Sequence, residues 1–126
     1  MGKRIIINGA NFSENGIYLP NSLTDKDCTI EKCGVYALTG ELTNDPVTYF
    51  AWNTSDFIDI SGFTKLTFVK CGTATNFGVA FYDDQKQYIS GIIYESQTGT
   101  TVNIPSNAKY LRFSDYTGWD VELALN

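Results

Sequence analysis

Two groups of side chains in this sequence carry chemistry that a ligand could use, and both depend on which way a strand turns its residues. In the run 77–82, Phe77, Val79 and Phe81 alternate with Gly78, Ala80 and Tyr82, so one set faces a core and the other faces away. The run 109–114 repeats this, with Leu111 and Phe113 inward and Tyr110, Arg112 and Ser114 outward. If the two strands share a sheet, Gly78 and Ala80 form a shallow floor, and Tyr82, Tyr110 and Arg112 stand around it as walls. The second group is the loop 115–120, in which Tyr116 is expected at the surface, while Trp119 is either a stacking platform or a plug at the end of the core. Trp52 shares a face with Phe50, and that pair packs inward unless Tyr49 does so instead. Flat rings suit the apolar C–H faces of a pyranose, and planar multidentate groups suit its hydroxyls. The guanidinium of Arg112 could hold vicinal hydroxyls or a uronate carboxylate in bidentate fashion. Competing with this, tyrosine is ordinary on β surfaces, and Arg112 could instead form a cross-strand ion pair with Asp115 or Glu122.

Other chemistries are poorly supplied. The chain contains no histidine, which removes the commonest general base, the imidazole ligand of zinc and every Ser/His or Cys/His pair. Glycoside hydrolysis needs two carboxyls about 5–10 Å apart across a cleft. The candidate pairs Asp83 with Asp84, Asp56 with Asp59 and Asp120 with Glu122 all read as solvated turn or strand acids, so no catalytic residue is expected. Asp- and Asn-rich loops leave room for a structural calcium, but no Asp-x-Asp-x-Asp-Gly loop is present and no cofactor is required. Cys28 and Cys33 either close a small hairpin disulfide or remain buried thiols, and with Cys71 the count is odd. A net charge of −5 with only two arginines argues against nucleic acid as a partner.

The elements that must hold these residues are strands. Ile, Val and Thr number 31 and the aromatics 18 among 126 residues, against 7 Ala and 8 Leu, which is the chemistry of sheets rather than helices. Apolar or alternating runs recur at 3–8, 29–38, 47–53, 57–60, 65–71, 77–82, 87–94, 100–104, 109–114 and 119–125. Turn signals such as Asn8-Gly9, Asn15-Gly16, Asp83-Asp84 and Thr98-Gly99 separate them. This spacing predicts an all-β, two-sheet antiparallel β-sandwich of jelly-roll type, a single domain over residues 1–126. Residues 21–31 carry no sustained apolar stripe and read as loop. No apolar run approaches the ~20 residues that span a bilayer, so membrane insertion is not expected. The opening Met-Gly-Lys runs almost at once into a strand, as in a module excised from a longer protein.

The run 81–91, Phe-Tyr-Asp-Asp-Gln-Lys-Gln-Tyr-Ile-Ser-Gly, is followed by 102–114, Val-Asn-Ile-Pro-Ser-Asn-Ala-Lys-Tyr-Leu-Arg-Phe-Ser. Together with the strand in 55–60 these resemble a carbohydrate-binding-module-like jelly-roll domain, over roughly residues 47–114. Such domains recur in gut-bacterial polysaccharide-degrading enzymes, in surface glycan-binding proteins and in phage tail proteins. The resemblance implies non-catalytic binding of a polysaccharide or oligosaccharide on behalf of attached catalytic or anchoring domains, outside the cell or at its surface. With the residue chemistry above, it makes Tyr82, Tyr110, Arg112 and Tyr116 the expected binding residues, with Trp52 and Trp119 in reserve. The alternative expectation is a structural or receptor-binding domain of a phage tail or bacterial adhesin.

Overall fold

β-Branched and aromatic residues at alternating positions build a two-sheet antiparallel sandwich. The computed structural model describes residues 21–126 together with the strands β1 (Arg4–Ile7), β2 (Ala10–Ser13) and β3 (Tyr18–Leu19). These three pair with one another in the order β1-β2-β3. The turns expected at Asn8-Gly9 and Asn15-Gly16 lie outside the described residues.

The sandwich uses β4 (Ser22–Thr24), β5 (Ile30–Glu31), β6 (Trp52–Thr54), β7 (Ile58–Asp59), β8 (Lys65–Lys70), β9 (Thr73–Tyr82), β10 (Tyr88–Glu95), β11 (Thr101–Asn103), β12 (Tyr110–Tyr116) and β13 (Glu122–Leu125). The larger sheet runs β10-β9-β12-β6-β5, with β7 also paired to β12; the smaller runs β11-β8-β13-β4. The pairing is nested: β4 with β13, β6 and β7 with β12, β8 with β11, and β9 with β10. Earlier strands thus partner later ones in mirror order, and the ribbon folds over so that β12 meets β9 and β13 meets β8. That is the jelly-roll arrangement expected from the sequence.

Inward rows follow the alternation. Val79 and Phe81 of β9 and Leu111 and Phe113 of β12 meet Leu66 and Phe68 of β8 and Leu123 and Leu125 of β13, all essentially sealed from solvent. Each such side chain stabilises the fold by roughly 1.5–3 kcal/mol relative to exposure. Tyr94 of β10 is the largest fully buried side chain, and its hydroxyl donates to the Ser114 carbonyl at 2.6 Å. Burial pushes this phenol far above its ordinary pKa. Tyr94→Phe leaves that carbonyl without its donor and is expected to cost about 1–2 kcal/mol, read as a lower urea midpoint at unchanged slope.

Three expectations need correction. Residues 21–31 are not loop: Leu23 is buried in β4 against Leu123, and a single 3-10 turn at Asp25–Asp27 leads toward β5. That turn is closed by a capping box, in which Asp27 accepts from the Thr24 N–H and the Thr24 hydroxyl from the Lys26 N–H. Within 47–53 only Trp52 and Asn53, the start of β6, are strand, because Asp45 coils the preceding segment by accepting from the Val47 and Thr48 N–H groups. Phe50 is consequently 69% exposed, and Tyr49 packs inward in its place. Phe77 is buried, but its ring contacts Tyr36, Tyr49 and Trp52 at the sheet's rim. All three cysteines are free thiols, and those at 28 and 33 point to different carbonyls, of Phe113 and Thr43.

The feature that shapes the outer face of the larger sheet is the segment 33–44. It leaves β5 beside β6, where Cys33 N–H donates to the Trp52 carbonyl. It then crosses β12, where Val35 N–H donates to the Ser114 hydroxyl at 2.8 Å. Beyond this, Tyr36 bridges Phe77, and Ala37 N–H donates to the Asn76 carbonyl. The segment then doubles back, pairing Leu42 with Val35. Val35 of this segment packs on Ala80 and Tyr82 of β9 as a second small core, flanked by Leu42, Phe57, Tyr88 and Tyr110.

Candidate functional site

This roof divides the outer face in two, so the six residues singled out from the sequence do not form one site. Gly78 and Ala80 are not an open floor: Ala80 is completely buried under the roof. Tyr82 is not a ligand wall either. It is 3% exposed, its hydroxyl donates to the Gly40 carbonyl at 2.6 Å, and burial raises its pKa to about 12 despite the Arg112 charge nearby.

At one end of the face, Tyr110 and Arg112 gather around Phe57. The Arg112 guanidinium stacks 3.8 Å from the Phe57 ring centroid, and Phe57 lies edge-on to Tyr82 and Tyr110 at 4.9 and 5.9 Å. Lys86 Nζ reaches both Phe57 and Tyr110, at 5.0 and 5.4 Å, and Lys109 Nζ sits 5.6 Å from Tyr110. The ion-pair partner of Arg112 is Asp56 at 3.2 Å, not Asp115 or Glu122. Asp56 also accepts from its neighbour's Phe57 N–H, and this bond and the guanidinium together outweigh burial and hold its carboxyl below the usual value.

At the opposite end, Trp52, Tyr116 and Trp119 meet in a triangle of rings 5.0–5.9 Å apart. The register that sets Tyr116 opposite Trp52 on adjacent strands brings the first two together. The turn 117–120 then folds Trp119 back between them and the core, where its ring covers Gly72 and meets Tyr94 edge-on at 5.6 Å. Trp119 therefore acts as the plug of that end while supporting the other two. Trp52 continues the cluster to Phe77, 4.8 Å away, and Phe77 to Tyr49 at 5.1 Å. The neighbouring Tyr49 hydroxyl is the main cause of a raised Tyr36 phenol pKa at this rim.

Here the surface opens into a cleft of about 340 Å³ lined by Tyr49, Trp52, Thr75, Asn76 and Phe77. It offers the rings of Tyr49 and Trp52 over a floor made by the buried Phe77, with a carboxamide and hydroxyls, and none of its lining residues is charged. Thr75 and Asn76 are exposed, so their polar groups are free to meet a ligand. Of the sequence-predicted residues only Trp52 lines the cleft, with Tyr116 in ring contact behind it. Tyr49 was the stated alternative to Phe50; Thr75 and Asn76 carried no signal, because β9 begins at Thr73, four residues before the predicted run.

Two of the candidate acids close their own turns. Asp83 accepts from the Gln85 and Gln87 N–H groups, and Asp59 from Ser61 N–H. Asp115 differs: it is 2% exposed, and its carboxylate accepts from Val121 N–H at 2.8 Å. Burial raises its pKa to about 6 against the opposing effect of that bond. It is sealed from solvent and so positions the β12–β13 turn. Among the described residues no three carboxylate or thiol side chains gather where a metal ion could be held, so no residue is assigned to calcium. Compared with protein-family models, curated proteins and solved structures, the chain gives no match.

Proposed function

We propose that this chain is a non-catalytic carbohydrate-binding module, holding a larger extracellular or cell-surface protein on a polysaccharide. The observation that carries the reading is the uncharged cleft of Tyr49, Trp52, Thr75, Asn76 and Phe77. A sugar chain laid there meets ring faces and edges on its C–H side and the Asn76 amide and Thr75 hydroxyl on its polar side. Rings, a carboxamide and hydroxyls without charge suit the binding of a neutral sugar chain.

Titration calorimetry against a panel of neutral polysaccharides tests this. Tyr49→Ala removes a rim ring and is expected to weaken binding at least about tenfold, with Asn76→Ala losing somewhat less. Silence across the whole panel, or full affinity in Tyr49→Ala, would refute the reading.

A second reading, a phage-tail or adhesin domain that docks on protein, draws on a different observation. Leu38, Val47 and Phe50 on and beside the roof are 65%, 82% and 69% exposed. A stable trimer by light scattering, with no glycan bound, would favour it over the module.

A further inference from the structure

Within a chain of net charge −5, three of the nine basic residues converge at the end of the face opposite the cleft. Lys86, Lys109 and Arg112 surround the rings of Phe57 and Tyr110, and a single carboxylate, Asp56, pairs with the group. Neither lysine has a carboxylate within ion-pair distance among the described residues. Arg112 is ion-paired but keeps unused donors: its Nε–H is buried without an acceptor, and only one of its terminal nitrogens meets Asp56. Gathering three cations on two rings costs mutual repulsion that one exposed Asp56, 76% accessible at its side chain, offsets only in part. Cation–π contact holds each cation in place without cancelling its charge.

We infer that this patch is a second ligand site, which takes a carboxylate or sulfate group borne by an acidic glycan. Tyr110 supplies a half-buried ring for the sugar, the two ammonium groups supply the counter-charge, and Asp56 is the group the anion must compete with. The inference rests on the glycan reading for the nature of the chain carrying the anion, but not on the cleft.

The experiment is calorimetry with polygalacturonate, and with a neutral polysaccharide that binds the cleft, at about 20 and 200 mM NaCl. Polygalacturonate is expected to bind at low salt and to weaken about tenfold or more at high salt, whereas the neutral polymer is unaffected. Lys86→Gln with Lys109→Gln should abolish most of the acidic binding. The same charge removed elsewhere, by Lys26→Gln with Lys32→Gln, should change it by less than about twofold. The sharpest arm is Asp56→Asn, which keeps an acceptor for Phe57 N–H: a purely structural carboxylate would leave affinity unchanged, but a competitor's removal raises it several-fold. Neutral binding with no acidic binding overturns this inference alone; no binding of any glycan overturns the module reading with it. Equal losses in the two lysine double variants, or full displacement of polygalacturonate by inorganic phosphate at equal charge, would also overturn it.

Discussion

Gly91→Ala is expected to destabilise the protein by about 3 kcal/mol, the upper end of the usual cost of overpacking, and to loosen the roof over the larger sheet. Gly91 sits opposite Ala80 in the β9–β10 ladder, so a side chain there would project onto the outer face. An added Cβ would lie 1.7 Å from the Ala37 carbonyl oxygen and 2.7 Å from that of Val79, both backbone atoms that cannot swing aside. Ala37 is held from two further directions, by its own N–H on Asn76 and by the Tyr88 hydroxyl on its carbonyl. Gly99 provides the contrast: a Cβ there meets nothing within 4 Å, and only its φ of +86° opposes substitution. Gly99→Ala should therefore cost about 1 kcal/mol. Denaturant midpoints would compare the two. Because Tyr49 follows the roof and Tyr36 belongs to it, Gly91→Ala should also weaken ligand binding in the cleft, which Gly99→Ala should spare. Equal stability losses in the two variants would show that the close approach does not limit the fold.

The second large effect is a dependence of stability on pH that runs opposite to ordinary acid denaturation. Asp115 has its folded pKa raised to about 6, from the ordinary 3.8. Between these values the native state keeps a proton that the unfolded chain has released. Stability from this residue is thus complete below pH 3.8 and falls as pH rises through 6, by on the order of 2 kcal/mol. The lowered carboxyl pKa of Asp56 acts in the other direction and in another window, since its contribution is lost only as pH falls below about 3.8. Asp115→Asn keeps an oxygen for Val121 N–H and carries no charge, so it should flatten the slope between pH 4 and 6 and equal or exceed the parent at pH 7. Urea midpoints across that range decide the matter; a variant that keeps the parent's slope would exclude Asp115 as its source.

How much of this was legible in the sequence depended on whether a segment's partners imposed a period on it. In β9 and β12 the core meets one face continuously, so alternation names Val79, Phe81, Leu111 and Phe113 correctly. Carried one step past Ser114, the same parity turns Asp115 inward, a signal hidden by ending the strand too early. Segment 33–44 has no such period, because its anchors are single contacts at long range, such as Val35 to Ser114 and Tyr82 to Gly40. The outward set of β9 and β12 was therefore read as facing water when its middle faces the roof. Exposure, unlike parity, depends on what else the chain lays over a face. At the cleft, residue type singles out Trp52, whereas Thr75 and Asn76 have no distinguishing composition and become visible only through the cavity they line.

The nested strand order also governs when the protein can fold. The smaller sheet has β13 between β4 and β8, so Leu23 and Leu66 gain their shared neighbours only from the final strand. Closing that pairing brings together residues about a hundred positions apart before any local contact compensates for the lost chain entropy. Folding on the millisecond-to-second scale is expected, with little native structure in the smaller sheet until Leu125 has been synthesised. During that interval the rows of Leu66, Phe68 and Leu23 lie uncovered. A nascent chain stalled short of β13 should therefore be the species that aggregates or recruits a chaperone.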